Sequence, residues 1–181
     1  MKTLFKILNF FKSLRMSGKS YHFKIGEGKQ FSSGGGFLNV SEPEITFKIK
    51  FNESSHIFIM DNPRQINKAI GLKEGIYGNK NSVLLGFSSY HNMFELWLFA
   101  NGGSGFNHVK IGNFNTDDEL GPFKLGIRKG EYYLEYNDQE FIIKREDKEI
   151  PEIVGMVRSY FGGQKPNPKG NGAVQIQIDV D

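Results

Sequence analysis

The chain has no cysteine. Disulfides and cysteine-ligated metals are therefore excluded, and no compartment is implied, because 181 residues can bury a full core without staples. There is no Gly-x-Ser-x-Gly elbow and no His-Glu-x-x-His zinc signature. The glycine order of a phosphate-binding loop is also missing: Gly26-x-Gly28 and Gly34–Gly36 read as a flexible turn or glycine bulge. The four histidines are scattered, and no two have the spacing of a metal pair on one element. Tryptophan occurs once, as Trp97.

What is abundant is aromatic and glycine. Phe contributes 17 residues and Gly 22, a composition suited to pleated, half-buried surfaces joined by tight turns. The net charge of +3 is uneven. Residues 1–30 hold seven Lys or Arg against Glu27, which makes +6 and leaves −3 for the rest. The body is thus not a nucleic-acid binder by composition.

The basic arm, residues 1–16, places Leu4, Ile7, Leu8, Phe10, Phe11 and Leu14 on one side of a helical wheel with Lys2, Lys6 and Lys12 opposite. It is too short and too charged to span a bilayer, and no small-residue cleavage site follows it. The expectation is an amphipathic helix whose Ile7, Leu8, Phe11 and Leu14 dock on a partner surface, on the chain's own domain or on a membrane face. Residues 17–20 form a linker, and residues 21–181 form one domain.

That domain reads as a series of strands. Met93-Phe-Glu-Leu-Trp-Leu-Phe-Ala100 is apolar on both sides and bounded by turn residues, as an interior strand should be. Trp97 is expected in its core. Glu44–Phe51 alternates cleanly, with Ile45, Phe47, Ile49 and Phe51 pointing in, and the last strand repeats the pattern with Val174, Ile176, Ile178 and Val180. Gln65–Leu72 is expected to form a short helix or turn capping the sandwich. Gly86 signals a bulge or close backbone approach. About ten short strands at even spacing give an all-β, two-sheet antiparallel jelly roll.

Two segments resemble a known group. One is Asn67–Phe87, and the other is Tyr160-Phe161-Gly162-Gly163 with Pro166 and Pro168 leading into the final strand. Over residues 44–181 the chain resembles small concanavalin A-like jelly-roll proteins of bacteria and bacteriophages, whose functions are mostly unassigned. The resemblance implies a sandwich on which a sugar site would lie on loops or a concave sheet.

Chemistry is sparse by motif. Glu131 and Glu135 share a strand but read as solvated edge charges, so the paired carboxylates of a glycosidase are not evident. The chain is accordingly expected not to be an enzyme. The functional expectation is a non-catalytic, lectin-like carbohydrate-binding module at a cell or virion surface. The alternative is a structural or accessory subunit of an assembly, docked through residues 1–16. Ligand contacts are expected from the loop aromatics Tyr77, Tyr90, Phe106 and Tyr160 and from His91. The oxygen-rich turn Asn115, Asp117, Asp118 and Glu119 is the candidate calcium site, calcium being the one cofactor such donors would take.

Overall fold

A computed structural model describes residues 18–33, 39–40, 42–51, 66–75, 81–90, 93–102, 105–115, 118–152, 154–157, 159–160 and 173–181. The expected helix over residues 1–16 lies outside these residues.

Among the described residues twelve strands make two six-stranded sheets in which every pairing is antiparallel. The first sheet runs β1 (Lys19–Ile25), β12 (Val174–Val180), β3 (Glu44–Phe51), β8 (Leu120–Arg128), β9 (Glu131–Tyr136), β10 (Gln139–Lys144). The second runs β2 (Asn39–Val40), β11 (Val154–Val157), β4 (Asn67–Glu74), β5 (Ser82–Tyr90), β6 (Met93–Gly102), β7 (Gly105–Phe114). The fold is the concanavalin A-like jelly roll.

Alternation set the first sheet. Ile49 faces Ile178 and Phe51 faces Ile176 across β3 and β12, and all four are buried. Their counterparts on the second sheet include Leu72, Val83, Leu85, Phe87, Leu96 and Leu98, with Phe51 and Phe87 rings 5.0 Å apart between the sheets. Leu98 is fully enclosed. Leu98→Ala should cost about 2–5 kcal/mol, read as a lower midpoint in urea unfolding with an unchanged slope.

Where a helix or turn is expected over Gln65–Leu72, residues 67–72 instead belong to β4, an interior strand between β11 and β5, and Gln65 lies outside the described residues. Every residue from Asn67 to Lys73 is buried. A strand covered on both faces has no polar–apolar alternation to display, so its period is invisible in the sequence. The outer face of the second sheet also carries apolar residues. Besides the central core, Ile66, Leu84, Phe99 and Val157 form a second cluster with Trp97 and Tyr160. Trp97 therefore sits half-buried on the outer face and not in the central core as expected.

Candidate functional site

The outer face of the second sheet collects the groups with chemical potential. Its centre is Lys68 on β4, 5% exposed. The register of β4 against β5 shifts between Lys68 and Ile70, a bulge that bends the strand and re-aims its side chains. Lys68 lies opposite Gly86, which in turn lies opposite Trp97. A Cβ at Gly86 would meet Ile66 Cγ2 at 2.4 Å, so the missing side chain is what lets Ile66 pack over β5 at this level. Gly86→Ala should cost about 1–3 kcal/mol through overpacking, seen as a depressed melting temperature, and should disturb the Lys68 position.

The Lys68 ammonium donates to the Ile66 carbonyl at 2.6 Å. It lies 3.8 Å from the Phe99 ring centroid and 5.8 Å from that of Tyr160. Removal from water disfavours the charged amine, and its pKa falls from 10.5 to about 8. Tyr160 is held beside it by paired main-chain bonds, Lys68 N to Tyr160 O and Tyr160 N to Lys68 O, both 2.9 Å. Burial pushes the Tyr160 phenol above its ordinary value.

On β6 and β7 the same face carries a polar relay. Trp97 Nε1 donates to Ser88 Oγ at 3.0 Å, Ser88 Oγ donates to Glu95 Oε2 at 3.1 Å, and Lys110 Nζ donates to Glu95 Oε1 at 2.6 Å. Lys110 also lies 5.7 Å from the Trp97 ring, and exposed His108 meets that ring edge-on at 5.4 Å. Lys73 extends the basic lining, its amine pKa lowered by burial. Cations thus outnumber Glu95, the one carboxylate this cluster holds among the described residues.

The sequence-predicted residues divide sharply. Tyr160 and Phe106 lie on this face, the Phe106 ring tilted by 34° against that of Phe99 with centroids 5.6 Å apart. Tyr90 ends β5 opposite Met93, while Tyr77 and His91 fall outside the described residues. Asn115, Asp118 and Glu119 are exposed, Glu119 pairs with Lys48 at 2.9 Å, and Asp117 is outside the described residues. Glu131 is engaged by Arg128 and Lys144, and Glu135 by Lys124 at 3.7 Å, on β9 of the other sheet, which lies between β8 and β10 and so is not the edge strand expected for them. Lys68 was missed entirely. The available signal was one lysine directly before the apolar run Ala69-Ile70-Gly71-Leu72.

A separate cavity of about 170 Å³ opens at one end of the sandwich, lined by Glu74, Asn81, Asn107, Tyr132, Lys144 and Arg145 among others. Its Glu74 and Arg145 are paired with each other. Arg145 donates to Glu74 at 2.6 Å and to the Arg128 and Glu149 carbonyls, and Tyr132 donates to Glu74 at 3.1 Å. This network ties β4 and β9 to the segment that follows β10.

No family model matches the chain, and no curated protein matches it. Solved structures do. An alginate lyase from Pseudomonas aeruginosa is similar with a TM-score of 0.51 and 11% identity, over 88% of this chain and 81% of that one. A marine alginate lyase from Zobellia galactanivorans gives a TM-score of 0.48 and 13% identity over 91% and 62%. An alginate lyase from an Alteromonas species gives 0.44 and 12% over 90% and 71%. These similarities concern the fold. The likeness to the Pseudomonas aeruginosa enzyme overturns the expectation of a non-catalytic, lectin-like binding module, its alternative of a structural or accessory subunit, and the expectation that the chain is not an enzyme. That reading took a sandwich without paired carboxylates as non-catalytic, whereas the fold is one on which polysaccharide lyases are built.

Proposed function

We propose that the protein is a polysaccharide-degrading enzyme that cleaves an acidic chain by β-elimination on the outer face of the second sheet. The observation that carries this is Lys68, an amine with a pKa of about 8, flanked by an aromatic ring and a tyrosine on a face lined with further cations. The P. aeruginosa alginate lyase, with the same fold, lends support by showing that such a sandwich accommodates lyase chemistry.

The roles follow from the chemistry. Elimination needs a cation to neutralise the uronate carboxylate, a base for the proton α to it, and an acid for the leaving oxygen. Lys110 and His108 supply donors at the rim. The neutral Lys68 amine takes the α-proton, and the C–H electrons become the new C=C bond as the C–O bond breaks. The Tyr160 phenol protonates the departing oxygen. The Lys68 ammonium then returns a proton to the phenolate, so both groups end as they began. Hydrolysis, by contrast, requires two carboxylates, and Glu95 is already bonded to Ser88 and Lys110.

The test is a panel of acidic and neutral polysaccharides, followed by the ultraviolet absorbance of unsaturated uronate ends. An absorbance rise on an acidic substrate is expected, with Tyr160→Phe slower by about 10²–10⁴-fold. Cleavage confined to neutral glycans, or new reducing ends without the chromophore, would overturn the elimination reading.

A further inference from the structure

Among the described residues four large apolar side chains are exposed: Phe31 at 63%, Phe106 at 70%, Ile142 and Ile150. The two aromatic ones both belong to the face that carries Lys68. Phe31 follows β1, on the edge of the first sheet, and reaches the second sheet through a bridge to Tyr160. Its ring lies 5.9 Å from that of Tyr160. Phe106 is on β7, next to the hairpin that joins it to β6, and its ring lies 5.6 Å from that of Phe99. Since Tyr160 and Phe99 are the two rings beside the Lys68 amine, a continuous row results: Phe31, Tyr160, Lys68, Phe99, Phe106.

We infer that Phe31 and Phe106 are stacking platforms for sugar rings at the two ends of this row, so that several residues of one acidic polysaccharide chain lie across the sheet with the scissile bond at Lys68. The inference rests on the elimination reading for the identity of the chain. Three strand spacings separate β4 from β7, about 14 Å, and Phe31 extends the row beyond β4. That length suits an oligosaccharide stretch and exceeds a single ring. The C–H face of a pyranose covers an aromatic face and removes it from water, which is what these two phenylalanines otherwise lack. Lys73 and Lys110, the cations beside the row, complement a chain that carries one carboxylate per sugar. Both platforms are held before any ligand arrives. Ser32 N bonds to Ser159 O at 3.3 Å and Ser33 N to Lys24 O at 2.8 Å, fixing the Phe31 segment, and Phe106 is part of a paired strand. Preorganised platforms lose little entropy on binding.

The experiment compares wild type with Phe31→Ala, Phe106→Ala, the double variant and Phe106→Trp, using alginate and pectate polymers and their di- to hexasaccharides. The exposed positions leave melting temperatures unchanged, which serves as the folding control. KM for polymer should rise roughly three- to tenfold for each single variant, more for the double, with kcat altered less than twofold. Phe106→Trp should restore affinity, and disaccharides should show no difference among the variants. Direct polymer binding by the Lys68→Met protein, in affinity electrophoresis, reads the platforms without turnover. If that protein binds polymer and the alanine changes weaken binding, the platforms stand even where no elimination is seen. Unchanged KM and unchanged binding in the double variant overturn the platforms while leaving the elimination reading intact. Absence of both binding and cleavage overturns both.

Discussion

Replacing Lys68 with methionine should abolish turnover and at the same time make the folded protein more stable near neutral pH. Methionine matches the length of the buried stem and fits irregular gaps. The catalytic loss should be at least about 10²–10⁴-fold in kcat, the range expected when a positioned base is removed. The stability gain follows from the direction of the pKa change. The unfolded chain holds Lys68 at 10.5 and the folded chain at about 8. Between those values the unfolded state binds more protons, so stability rises with pH through that window and the penalty is fully present below about pH 8. The gap corresponds to about 3 kcal/mol. Loss of the bond to the Ile66 carbonyl offsets part of it, leaving a gain of about 1–2 kcal/mol at pH 7. The gain should fade as the pH approaches 10. Chemical denaturation of both proteins at pH 7 and pH 10 measures it. A variant that is less stable at pH 7 would show that Lys68 contributes to the fold and is not an amine held at a cost.

The other large effect is at the opposite end of the sandwich. Glu74→Ala removes the acceptor for Arg145, Tyr132 and Asn81 together. The Arg145 side chain is only 2% exposed, so its guanidinium would be left buried beside the Tyr132 ring, 5.3 Å away, without a counter-charge. Removing one partner of a buried pair costs about 3–5 kcal/mol, enough to unfold a marginal domain. Changing Glu74 and Arg145 both to methionine should recover much of that loss, since replacing the whole pair by apolar groups is often neutral or stabilising. Activity per folded molecule should stay within about twofold in either variant, because the network lies away from Lys68. Guanidinium unfolding and turnover below the melting transition distinguish these outcomes. A Glu74→Ala protein with normal stability would remove the network from the account of how β4 is anchored.

The parts of the fold that were legible share one feature, a wet side. β3 and β12 alternate because Lys48, Lys50, Gln175 and Gln177 leave the core on the side facing away from it. β4 has no wet side, and the chain there read as a cap. β6 was recognised as apolar on both sides, but such a strand does not say which side meets the other sheet. That is why Trp97 was expected in the central core, although Leu96, Leu98 and Ala100 fill it. The candidate site was legible only at its edges. Phe106 and Tyr160 stood out as aromatics near turns, whereas the feature that brings them into one row is the bulge at Lys68 and the bare Gly86 opposite, both consequences of pairing. The functional error had a similar origin. A search for paired carboxylates finds hydrolases, and an amine with a tyrosine has no fixed spacing when β4 and the segment at Tyr160 are far apart in sequence.

The pH dependence of kcat/KM on an acidic polysaccharide, followed through the unsaturated product, addresses the central claim most directly. Because the neutral amine is the working form of Lys68, the rate should rise with pH through a midpoint at about 8. It should then hold a plateau while Tyr160, whose phenol burial keeps protonated above its ordinary range, remains able to donate. A rising limb centred near 8 that disappears in Lys68→Met is the predicted result. A profile with no group titrating near 8, or an unchanged profile in Lys68→Met, would contradict it.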